Sequence, residues 1–216
     1  MVLIRYAELK DPGSFREVDA FLPGFPPDLR RKISAYKFAK DAQLCLYGKL
    51  LIRQIAGEMG YPGDILPQIR YSTYSRPYVA DEAADFNTSH SGSIVAVAMS
   101  SKGRLGIDIE AIRAVELSDF KGYFPEAEFA EITASADPLR SFYKQWTRKE
   151  ALMKADGRGM HLEISKIEIE GNEGRIGAAR WFLTPLHFGN NYSAHLATAW
   201  QPAATEIQIA KSEFHP

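Results

Sequence analysis

Leu105-Gly106-Ile107-Asp108-Ile109-Glu110 alternates apolar and acidic residues after a glycine. Such alternation predicts a strand, because successive strand side chains point to opposite faces. Ile107 and Ile109 then face a core, and Asp108 and Glu110 project together on the other side. Two convergent carboxylates are the donors that a hard, oxygen-seeking cation needs. Taken alone, the pattern also fits a strand end with a solvated acidic face.

Upstream, Ile94 to Met99 is a continuous apolar run that predicts a buried strand, and Ser100 to Arg104 reads as a hairpin-like turn into the acidic strand. Before it stands Phe86-Asn87-Thr88-Ser89-His90-Ser91-Gly92. Hydroxyl, imidazole and backbone N–H groups in such a stretch can hold a phosphate. A hydrolase nucleophile would need a G-x-S-x-G elbow, which is absent; a plain turn before a strand is the other reading. Ser72 to Pro77 is a stiff, turn-rich loop in which Arg76 is the cation best placed for an oriented phosphate contact. Lys37 to Glu58 carries Leu44, Tyr47, Leu51 and Ile55 at helical spacing and predicts one long helix, ended by Gly60 and Pro62. Asp28 marks another helix start, and residues 2–9 read as an opening strand. Arg30, Arg31, Lys32, Lys37 and Lys40 scatter positive charge along this part.

Downstream, Phe124 to Ala134 predicts a short helix, and Asp137-Pro138 opens a helix to about Ala155, ended by Gly157 and Gly159. In that helix Trp146, Glu150 and Lys154 are four apart and share a face, with Lys149 beside it. A surface helix with an ordinary Glu–Lys pair would show the same spacing. Ile164 to Glu170, Ala179 to Leu183, Tyr192 to Trp200 and Ile207 to Ala210 read as strands. Helix followed by strands occurs twice, which predicts a two-lobed α+β arrangement.

The chain of 216 residues permits one large domain or two small ones. A formal net charge of −1 gives no global basic field for nucleic acid, so any anion site is a local cluster. The single cysteine, Cys45, cannot form an internal disulfide, which fits a reducing compartment; core packing is its expected role. The N-terminal apolar stretch is too short for a signal peptide, and no apolar run approaches a membrane helix. A soluble, cytoplasmic protein without nucleic-acid or membrane partners is expected.

Together Arg76-Pro77, Phe86 to Gly92, Gly106 to Glu110 and Trp146 to Lys154, with Phe38-Ala39-Lys40-Asp41-Ala42, resemble the 4′-phosphopantetheinyl transferases of the larger, single-chain type, the class that serves surfactin and enterobactin synthetases. The motifs cover roughly residues 30–160. The family's proline loop often carries Gly-Lys where this chain has Ser75-Arg76, and arginine can make the same anion contact.

The resemblance implies a pseudo-dimeric chain of two similar α/β lobes, 1–104 and 105–216, with the active site in the cleft between them. It implies that Asp108, Glu110 and Glu150 bind Mg²⁺, that His90, Lys149 and Lys154 contact the coenzyme A pyrophosphate, and that Ser89 and Arg76 lie along the nucleotide. Lys32 is assigned to the 3′-phosphate. Glu150 and Lys154 are the catalytic pair, Glu150 taking the serine proton, with Glu128 the second candidate base. The implied reaction moves the 4′-phosphopantetheine arm of coenzyme A to a serine of an apo acyl or peptidyl carrier protein, performed by a monomer. Lys121 to Phe124 offers a docking face for a carrier helix, or else anchors the next helix. A non-catalytic coenzyme A or carrier-binding module is the alternative from another class. A nucleotide phosphohydrolase is weakened by the lack of a Walker-type loop.

Overall fold

A computed structural model describes residues 1–10, 12–80 and 84–215. The elements are β1 (Val2–Glu8), α1 (Arg16–Phe21), α2 (Pro27–Ser34), α3 (Ala39–Glu58), β2 (Ile69–Tyr71), β3 (Pro77–Val79), β4 (Asp85–Ser91), β5 (Ile94–Ser100), β6 (Leu105–Ala111), α4 (Glu126–Ala134), α5 (Pro138–Asp156), β7 (Glu168–Glu170), β8 (Glu173–Ile176), β9 (Ala179–Pro185), β10 (Tyr192–Thr198) and β11 (Ile207–Lys211). The class is α+β, as the order of patterns predicts.

One sheet runs β11-β1-β5-β4, a second runs β6-β10-β9-β8-β7, and β2 pairs with β3 as a short hairpin. The two large sheets face each other across Val2, Ile4, Ala96, Ala98, Leu105, Ile107, Ile109 and Leu196. Helix α3 covers the outside of the first sheet through Leu44, Leu51 and Ile55 against Val95, Val97 and Met99. Helix α5 covers the outside of the second through Ala151, Leu152 and Ala155 against Trp181 and Leu183. β5 is buried along its whole length because a helix covers one of its faces and a sheet the other; that is why it reads as a continuous apolar run.

Helix α5 begins where Asp137 accepts the Arg140 N–H at 3.0 Å, with Pro138 at its first position. It ends at Gly157, whose φ of 89° is left-handed and lets its N–H reach the Met153 carbonyl at 2.9 Å.

Two expectations are corrected. Ser100 to Arg104 does not make a hairpin: β5 pairs with β1 and β4, whereas β6 pairs antiparallel with β10. Turn residues report that the chain bends, and which strands then pair is settled by sheet packing. Ile164–Lys166 forms a 3-10 turn, so only Glu168–Glu170 of that stretch is strand, and it pairs with β8, a strand the sequence reading lacks. Finally, β11 pairs in parallel with β1, so the chain's last strand returns to the first sheet.

Candidate active site

The site forms where the β4 edge of the first sheet meets β6, the edge of the second. The outward backbone N–H groups of β6 have no partner strand, and side chains of β4 take them instead. Leu105 donates to Asp85 Oδ2 at 2.8 Å, Ile107 to Asn87 Oδ1 at 3.0 Å, Ile109 to Ser89 Oγ at 3.2 Å and Ala111 to Ser91 Oγ at 3.0 Å. Alternate residues of β4 point the same way, so a polar residue at every second position supplies one acceptor per free N–H. This ladder welds the two sheets.

On the outer face of β6, Gly106 lets α5 lie directly on the strand: a Cβ there would stand 2.3 Å from the Ala151 carbonyl oxygen and 2.4 Å from the Ala155 nitrogen. That close approach sets Lys154 over Asp108. Lys154 Nζ donates to Asp108 Oδ1 at 2.7 Å and to Ser89 Oγ at 2.8 Å, while Ser89 Oγ donates to Asp108 Oδ1 at 2.9 Å. Ser91 Oγ donates to Glu110 Oε2 at 2.6 Å. Glu150, half-buried one turn before Lys154, has its pKa raised by burial and then by Asp108 and Glu110. Glu110 is raised by burial, with Asp108 adding to it. Three acids and one ammonium therefore share a single electrostatic neighbourhood. His90 stands exposed on the opposite face of β4, its pKa lowered by partial burial and by Lys154.

Among the described residues no three acidic, imidazole or thiol groups are drawn up closely enough to enclose an ion as they stand. Yet Asp108, only 3% exposed, keeps a buried Oδ2 with no hydrogen-bond partner. A buried carboxylate oxygen without a donor is a costly arrangement unless a cation completes it. With Glu110 and Glu150 beside it, this donor set fits a divalent, oxygen-preferring ion.

Several expected binding residues are committed elsewhere. Arg76 is buried and pairs through both terminal nitrogens with Asp85 at 2.6 Å. Its remaining N–H groups go to the carbonyls of Lys154 at 3.1 Å, Leu105 at 2.9 Å and Pro77 at 3.4 Å. A guanidinium has five N–H groups, so none is left for a nucleotide; Arg76 instead ties the β2–β3 loop to both α5 and β6. Ser89, buried, spends its one hydrogen and both lone pairs within the ladder and the Asp108–Lys154 contact. Lys149 is 0% exposed, bound to Glu128 at 2.9 Å and to the Ile167 carbonyl at 2.9 Å, under the Phe124 ring. Its ammonium is thus enclosed with Glu128, apart from the Lys154 cluster, and Glu128 is held as that lysine's partner. Phe124 lies in an aromatic core with Phe142 and Trp146, while Tyr123 is 44% exposed at its edge. Lys32 is exposed on α2, its ammonium 6.0 Å from the Tyr71 ring centroid.

Two features went unforeseen. Cys45 lines a cavity beside Tyr36 and Lys49 as well as flanking the core. His195 faces Asp108 across β10 and β6, and its Nδ1 is 2.8 Å from Thr147 Oγ1 of α5. No local motif marks either one. No helix among the described residues is long and apolar enough to cross a membrane.

The comparisons converge. Residues 104–206 match the family model described as 4′-phosphopantetheinyl transferase superfamily, and residues 14–102 match 4′-phosphopantetheinyl transferase, N-terminal. The chain is 31% identical over 163 residues to 4′-phosphopantetheinyl transferase Sfp of Bacillus subtilis, covering 73% of this chain and 71% of that one. It is 34% identical to the transferase gsp of Aneurinibacillus migulanus, over 64% of this chain and 58% of the relative. It is 27% identical to the mouse L-aminoadipate-semialdehyde dehydrogenase-phosphopantetheinyl transferase, over 67% and 52%.

Proposed function

The chain belongs to the 4′-phosphopantetheinyl transferase superfamily, and from that membership we infer that it moves the phosphopantetheine arm of coenzyme A to a serine of an apo carrier protein. One observation carries the reading: Lys154 lies on Asp108, next to Glu110 and Glu150, while Asp108 Oδ2 remains without a partner. Acids suited to a dication and an ammonium suited to a phosphate occupy one floor, which is the pairing that transfer from a pyrophosphate requires.

Asp108, Glu110 and Glu150 would hold Mg²⁺. When bound, the ion supplies positive charge against the pyrophosphate oxygens. Lys154, on a flexible stem, turns from Asp108 to the phosphate that leaves. His90, which burial and Lys154 keep largely neutral, donates a hydrogen bond at the rim. The carrier serine oxygen bonds to the β-phosphorus, the bond from that phosphorus to the bridging oxygen breaks, and 3′,5′-ADP departs. The serine proton passes to Glu150, whose burial beside two acids raises its proton affinity; Glu128, already paired with Lys149, is the weaker candidate.

The proposal includes two lobes of like build, divided near residue 104, with the site in the seam between them; the two adjoining family matches support that division. It includes a monomer acting in the cytoplasm on an acyl or peptidyl carrier. The test is the mass of an apo carrier protein after incubation with coenzyme A, Mg²⁺ and this protein. A gain of one phosphopantetheine arm is expected. Tight coenzyme A binding with no mass change across acyl and peptidyl carriers would make the protein a binding module.

A further inference from the structure

The last four carbonyls of a helix have no partner within it. In α5 these belong to Met153, Lys154, Ala155 and Asp156, and the same turn carries the Lys154 ammonium. The Gly157 N–H takes the Met153 carbonyl at 2.9 Å. Two guanidinium groups from separate segments, the β2–β3 loop and the link from β5 to β6, take two more. Arg76 Nε donates to the Lys154 carbonyl at 3.1 Å, and Arg104 Nη2 donates to the Asp156 carbonyl at 2.7 Å. Both cations thereby meet the negative end of the helix dipole. Gly157 makes room for them: a Cβ there would stand 2.5 Å from Arg104 Nη2 and 2.5 Å from Arg76 Cδ.

Neither arginine is loose at its other end. Asp85 holds both terminal nitrogens of Arg76 at 2.6 Å, and the pair brackets Leu105. Asp85 Oδ2 accepts the Leu105 N–H at 2.8 Å, while Arg76 Nη2 donates to the Leu105 carbonyl at 2.9 Å. Arg104 directly precedes Leu105, and its own carbonyl accepts the Ala199 N–H at 3.0 Å. The grip on the end of α5 is therefore anchored at the first residue of β6, the strand that carries Asp108. Charged hydrogen bonds join the main chain of Lys154 to the start of that strand, while its side chain reaches Asp108 farther along it.

We propose that Arg76 and Arg104 are positioning residues for the transfer: by gripping the last turn of α5 they hold the base of Lys154 where its ammonium can reach both Asp108 and the phosphate. The inference rests on the transferase reading, which gives Lys154 its phosphate. Arg104 is the informative position, because it is exposed and its removal leaves the buried Arg76–Asp85 pair in place.

Steady-state transfer to an apo carrier that the wild type modifies, with coenzyme A varied, is the first measurement. Arg104→Gln should lower kcat on the order of tenfold, as a small misplacement of a catalytic group does, with KM for coenzyme A within about twofold of the wild type. Arg104→Lys should recover most of the loss, since an ammonium can also serve a helix-end carbonyl. In a Lys154→Met background, Arg104→Gln should cost much less, because the group it positions is gone. Thermal melts of the same four proteins (wild type, both single variants and the double) read the coupling without activity. The double variant should lose less melting temperature than the two single losses added together. An unchanged kcat in Arg104→Gln, an equal kcat loss in both backgrounds, or a raised KM at unchanged kcat overturns the proposal. Failure of the transferase reading looks different: the wild type then modifies no carrier, and the melts decide the positioning alone, coupled losses supporting it and additive losses overturning it.

Discussion

Lys154 Nζ lies 2.7 Å from Asp108 Oδ1, so an internal ammonium supplies the positive charge at the acidic floor. Asp108 is buried, and a buried carboxylate without a countercharge is strongly disfavoured. The contact leaves Asp108 Oδ2 unspent, and it places the group proposed to meet phosphate within reach of the group proposed to hold the ion.

Removing the ammonium should therefore expose the need for a cation. Lys154→Met should lower stability by about 2 kcal/mol in the absence of divalent ions. Mg²⁺ should restore part of the loss and should raise the melting temperature of the variant more than that of the wild type. Thermal melts with chelator and with Mg²⁺ measure both. Equal Mg²⁺ shifts in the two proteins would separate Lys154 from the ion site.

Asp108→Asn keeps the size of the side chain and removes its charge. Transfer to an apo carrier should fall by about 10²-fold or more, as for loss of an electrostatic stabiliser, with circular dichroism unchanged. Activity near the wild-type level would show that Asp108 serves only the fold.

Gly106 is the reason the helix can approach at all. Gly106→Ala puts a methyl group 2.3 Å from the Ala151 carbonyl oxygen, and the contact is backbone, which cannot swing aside. Helix α5 must move off β6, costing about 1–3 kcal/mol as overpacking does and carrying Glu150 and Lys154 away from Asp108. Urea unfolding and transfer rate should both drop. A variant with full stability would mean that α5 has room to slide.

The acid alternation in β6 and the helical face of Glu150 and Lys154 were legible because each depends on a fixed local period. What a side chain meets after folding is less so. Ser89 and Ser91 read as a phosphate-binding stretch, and they serve first as acceptors for an orphaned strand edge. Lys149 sits in the same motif as Lys154, yet five residues of helix turn it into a closed pocket with Glu128. Arg76 looked available because a loop arginine normally is; its partners lie 9, 29 and 78 residues away along the chain.

Arg76 gives a test of that distinction. Arg76→Lys cannot reproduce the two-pronged pairing with Asp85, and breaking one side of a buried pair costs about 3–5 kcal/mol. The variant should be clearly less stable. Below its melting temperature its KM for coenzyme A should stay within about twofold of the wild type, because no N–H of Arg76 is free for the nucleotide. A large KM increase with unchanged stability would return Arg76 to the binding site.

His195 sets an acid limit on the fold. It is buried against Thr147, and burial, with Arg148 and Lys144 nearby, lowers its pKa from 6.5 to about 3. In the unfolded chain the imidazole takes a proton below about pH 6.5, and in the folded chain it does not until about pH 3. The unfolded state thus binds more protons between these values, so stability falls as pH drops through that window. His195→Asn retains a polar atom toward Thr147 and cannot titrate. Between pH 7.5 and 5.5 the wild type should lose on the order of 1 kcal/mol relative to this variant, since the other ionisable groups are common to both. Urea unfolding of the pair at each pH gives the difference directly, and a pH-independent gap would show that His195 takes up its proton as readily in the folded protein as in the unfolded chain.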